Sequence, residues 1–159
     1  MQSHLNYFLY FHSILRYLIL LFALIVVVQS LVGMMGKKKF KASNKQTALV
    51  LLICCDLQLL FGLLLYYFKV YASGLLNGGD VMKDPYKRFW AVEHSVGMIV
   101  AIILVHMGYT VAKKNMDDDR KFKRMFWFVF IALAIFVATI PWEGKPGGVG
   151  RPNVPHLNA

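Results

Sequence analysis

The chain is short of what a soluble fold is made from. Only 16% of its 159 residues are charged and only eight are acidic, against about 25% charged in an ordinary domain. Its two cysteines, Cys54 and Cys55, are adjacent inside an apolar run. That excludes a secreted disulfide scaffold, and the pair matches no metal-binding spacing. Both read as packing residues. The sequence has no phosphate-cradling glycine loop, no nicotinamide fingerprint and no hydrolytic constellation. It has no internal repeat and no heptad pattern. No basic stretch precedes the first apolar run, and no small-residue cleavage site follows it at the right distance. The start therefore reads as a retained helix and not as a signal peptide.

What is present is hydrophobic, at 58% of residues, and one small core cannot hide that much apolar surface from water. The net charge of +10 does not point to nucleic acid, because the basic residues gather in short clusters between apolar runs, as in the loops of a membrane protein. Four runs stand out, at about 5–35, 47–72, 88–112 and 125–142. Each reaches or approaches the ~20 residues needed to cross ~30 Å of hydrocarbon as a helix, the form that satisfies every backbone group internally. The predicted fold is all-α, an integral membrane antiparallel four-helix bundle. It is followed by an extended Pro/Gly-rich tail over 143–159, too short to fold alone.

Charge sets the expected orientation. Lys37, Lys38, Lys39, Lys41 and Lys45 crowd the first loop. Lys113, Lys114, Arg120, Lys121, Lys123 and Arg124 crowd the third, partly offset by Asp117, Asp118 and Asp119. By the positive-inside bias these loops face the cytoplasm, and both termini with the middle loop lie outside.

Ionisable residues within the spans are costly and so mark function by default. They are His12 and Arg16 in the first run, Asp56 in the second, and Glu93, His94 and His106 in the third. His12 and Arg16, four apart, share a helix face. His94 and His106 are separated by roughly 120° of rotation and roughly 18 Å of rise, so they cannot serve one site. Measured from the span midpoints at ~1.5 Å per residue, His12 and His94 lie at matched depth, roughly 10 and 8 Å toward the outside. Two imidazoles so placed suit the axial positions of a haem b, with Arg16 available to a propionate. The alternative is that each histidine hydrogen-bonds a neighbouring helix. Asp56 is expected near mid-membrane, where it is either neutral or paired with Arg16 or a histidine. Arg16 is its expected partner, directly or through one bridging group. Glu93 pairs with Arg16 or Arg88, and His106 makes an interfacial hydrogen bond.

Several stretches carry a family resemblance. They are His12-Ser13-x-x-Arg16, Leu57-Gln58-Leu59-Leu60-x-Gly62 with Leu65-Tyr66, Met82-Lys83-Asp84-x-x-x-Arg88-Phe89-x-x-x-Glu93-His94, and Ile140-Pro141-Trp142. Over about 7–142 the chain resembles the small four-helix bacterial inner-membrane proteins labelled cytochrome b or cytochrome b-like. In such relatives a histidine often precedes the Leu-Gln-Leu-Leu stretch, where this chain has Asp56. The resemblance implies a membrane cytochrome, or a cytochrome-like subunit, that carries electrons through one haem b between His12 and His94, with quinone as a partner. The competing reading is a haem-free accessory subunit of a larger inner-membrane complex or homo-oligomer, with the tail as a docking strand. Either fits an electron-transfer or accessory subunit better than a stand-alone enzyme.

Overall fold

A computed structural model describes residues 2–152, with side chains from residue 5 onward. The chain is all-helical among these residues. Helix α1 spans Gln2–Met35. Helix α2 spans Ala42–Tyr66 and runs on as a π-helical segment, Tyr67–Tyr71. A short α3, Pro85–Arg88, leads through a second π-helical segment, Phe89–Glu93, into α4, His94–Lys113. Helix α5 spans Asp118–Thr139. Four of these stretches are long and apolar enough to cross a membrane: Leu5–Met35, Ala42–Tyr71, Pro85–Lys113 and Asp118–Thr139. Only 28–39% of the most apolar part of each is buried in the bundle, so the remaining apolar surface requires lipid.

The four long helices close a ring. Helix α1 packs on α2, α2 on α4, α4 on α5, and α5 back on α1. That places α1 across from α4, and α2 across from α5. The core is made of small and branched side chains, including Ala23, Val26, Leu51, Cys55, Ala101, Val105, Val129 and Ala132. Both cysteines are free and buried, as expected of packing residues. Where bulk must be avoided, glycine lets helices approach. A Cβ on Gly33 of α1 would lie 2.5 Å from the Phe122 ring of α5, and one on Gly97 of α4 would lie 2.6 Å from Thr139 Cγ2.

Element boundaries differ from the apolar runs chiefly at helix starts, which precede the apolar stretch. Helix α5 begins seven residues before the predicted 125, because Asp118 and Asp119 in its first turn suit the positive end of a helix. It stops at Thr139, short of 142, where Ile140 turns extended ahead of Pro141. The third stretch begins at Pro85 because the Asp84 carboxylate accepts from the backbone N–H groups of Tyr86 and Lys87, with proline at the first helical position. The wider turn that follows stacks residues five apart. Arg88 Nε therefore donates to Glu93 Oε1 at 2.7 Å, and Ser95 Oγ donates to the Trp90 carbonyl at 3.1 Å.

The described part of the tail does not stay extended. It folds back over the end of α5. Lys145 Nζ donates to the Ala138 carbonyl at 2.8 Å, satisfying a terminal helix acceptor with a cation. Val149 is buried, and Arg151 Nη2 donates to the Tyr86 hydroxyl at 2.7 Å. A docking role for residues 153–159 falls outside the described residues.

Candidate functional site

The half of the bundle away from the lysine-rich loops gathers His12 and Arg16 from α1, Gln58 and Gly62 from α2, Trp90 and His94 from the third stretch, and Thr139 at the end of α5. Gln58 Nε2 donates to the His12 backbone carbonyl at 3.0 Å, which ties α2 to α1 at this level. The His12 ring lies against α2 where Gly62 leaves room. A Cβ there would come 3.3 Å from His12 Cε1. His12 Nδ1 is buried and has no hydrogen-bond partner among the described residues.

His94 is held differently. Its Nδ1 lies 3.0 Å from the Thr139 carbonyl oxygen. A carbonyl can only accept, so Nδ1 carries the proton and Nε2 keeps its lone pair. Metal-ligating histidines typically donate their other ring N–H to a carbonyl or carboxylate in this way. Gly97, three residues on, permits the contact by letting Thr139 approach α4. The Phe89 and Trp90 rings pack on the imidazole, with centroids at 5.8 and 5.5 Å.

The two histidines come from helices that face each other across the bundle. Arg16 is buried, at 8% exposure. Its Nη2 donates to the Tyr17 hydroxyl at 3.0 Å, and its guanidinium lies 4.8 Å from the Tyr17 ring centroid and 5.9 Å from that of Trp142. Beside His12 Nδ1, the Gln58 Oε1 and Trp90 Nε1 atoms are also buried without a partner among the described residues. Such atoms each cost about 1–3 kcal/mol, so polar capacity is concentrated around the two imidazoles. No group of three histidine, cysteine or acidic side chains that could hold a metal ion occurs among the described residues. A metal ligated by these two imidazoles would have to bring its other donors with it, as porphyrin iron does. The donor chemistry fits that group.

The expected Arg16–Asp56 pair does not form. Asp56 Oδ1 instead lies 2.8 Å from His106 Nε2 of α4. Helical phase explains the difference: Gln58 faces α1, and residues two apart on a helix diverge by ~200°. Asp56 therefore points away from α1, toward the edge shared with α4. Depth alone had brought Arg16 and Asp56 together, and rotation separates them. Neither Asp56 nor His106 is buried, each side chain being 48% exposed. Glu93 pairs with Arg88 and not with Arg16.

Sequence reasoning singled out His12 and Arg16, which lie on α1, and His94, which begins α4 on the opposite side of the ring. Trp90 and Thr139 it missed, since an indole next to a buried histidine and a helix-terminal carbonyl leave no spacing signal. Gln58 and Gly62 entered only as parts of the Leu57–Gly62 stretch that carries the resemblance. The chain matches no protein-family model, no curated protein and no solved structure.

Proposed function

We propose that the chain is a b-type cytochrome, or cytochrome-like subunit, of a bacterial inner membrane, with both termini on the periplasmic side. In this reading His12 and His94 would hold one haem b, and quinone would be its membrane partner. The observation that carries it is the Nδ1–H bond from His94 to the Thr139 carbonyl, which orients the ring and frees Nε2. When bound, haem b supplies a one-electron iron couple. The chain's own residues do the rest. Thr139 fixes the His94 ring, Gly62 gives His12 its place on α2, and Arg16 offers a buried guanidinium to a propionate. The apolar helices exclude water, which limits solvent reorganisation around a changing charge. Phe89 and Trp90 cover the His94 side.

The cross-helix bonds also favour a second reading, the haem-free accessory subunit. Gln58 to the His12 carbonyl, Tyr66 to the Ala91 carbonyl and His94 to the Thr139 carbonyl each fix helix register without any cofactor. Haem stoichiometry separates the two. Protein purified from haem-replete cells is expected to carry one haem b per chain by the pyridine haemochrome method. A folded preparation with none would leave the accessory reading.

A further inference from the structure

Midway along the α2–α4 edge, the lipid-facing apolar surface is interrupted by the Asp56–His106 pair. Asp56 lies eleven residues beyond Lys45 and His106 seven before Lys113, roughly 16 and 10 Å of helix rise from those cations. Neither short side chain can reach water from there. The surrounding surface is apolar: Ile53 and Leu60 on α2 and Ile103 and Met107 on α4 are all exposed. Lipid tails would meet those residues well and the pair badly.

The pair is also only half satisfied. Asp56 Oδ1 and His106 Nε2 bond each other at 2.8 Å, whereas Asp56 Oδ2 and His106 Nδ1 have no hydrogen-bond partner among the described residues. Whatever covers this face must offer both an acid and an imidazole at the same depth. A second copy does so by symmetry. A two-fold axis parallel to the helices keeps every atom at its depth and sets the second copy's α4 opposite this α2. Its His106 then faces this Asp56, and its Asp56 faces this His106, closing a ring of two acids and two imidazoles.

We propose that Asp56 and His106 form the centre of a two-fold interface with a second copy of this chain, with Ile53, Leu60, Ile103 and Met107 packing around it. This holds whether or not the chain binds haem.

The test uses the full chain in lipid vesicles at low protein-to-lipid ratio, with a short bis-maleimide cross-linker. Ile103→Cys is expected to give cross-linked dimer, and Val28→Cys, exposed on α1, is not. Replacing the pair by Asp56→Leu with His106→Leu should lower the dimer fraction at least tenfold. The exchange Asp56→His with His106→Asp should restore it, because the ring keeps its composition, and this variant also guards against misfolding as the cause of loss. A monomer at every ratio, equal cross-linking from Val28→Cys, or a monomer binding a short-chain benzoquinone through these two residues would each overturn the proposal.

Discussion

Gly33→Ala is expected to destabilise the bundle by about 1–3 kcal/mol, the range for adding a methyl group to a filled core. The sign is informative, because glycine to alanine within a helix ordinarily stabilises, by up to ~1 kcal/mol. Here the new Cβ would lie 2.5 Å from Cε1 and Cζ of Phe122 and 2.6 Å from Cε2. It would press on a ring that is 2% exposed and also packed against Phe40, with centroids 5.1 Å apart. Either α1 parts from α5 or Phe122 leaves its rotamer. Thermal unfolding in detergent should show a lowered midpoint for Gly33→Ala, with much of it recovered in Gly33→Ala/Phe122→Leu. An unchanged or raised midpoint in the single variant would mean that α1 and α5 are not packed this closely.

The second large effect concerns haem retention. His12→Ala and His94→Ala should each abolish haem binding, with content falling at least tenfold, while helicity by circular dichroism persists. The hydrophobic core cluster that packs the four helices is untouched by either substitution. His106→Ala should leave haem content unchanged, because His106 bonds Asp56 on the outer edge of α4. Full haem content in either variant would show that His12 and His94 do not hold the haem.

The fold was legible in the sequence because membrane helices are dictated by length and apolarity, and four runs met both conditions. Boundaries were less so, since capping by Asp84 and the acidic first turn of α5 extend helices past the apolar stretch. The site was legible as far as residue type and depth allow. Polar residues in apolar runs named His12, Arg16 and His94, and rise per residue matched their levels. Rotational phase was the missing quantity. Asp56 and Arg16 were paired by depth, whereas the Gln58 bond to α1 turns Asp56 toward His106. The π-helical segment before His94 also shifts phase by a fraction of a turn, and nothing in residues 89–93 announces it. Backbone partners such as the Thr139 carbonyl have no residue signature at all.

The most direct measurement of the central claim is the reduced-minus-oxidised optical spectrum of the wild-type chain, purified in detergent from haem-replete cells. Ligation by His12 and His94 predicts the sharp α band of a six-coordinate, low-spin b-type haem. A folded, colourless protein, or a high-spin spectrum without that band, would contradict it.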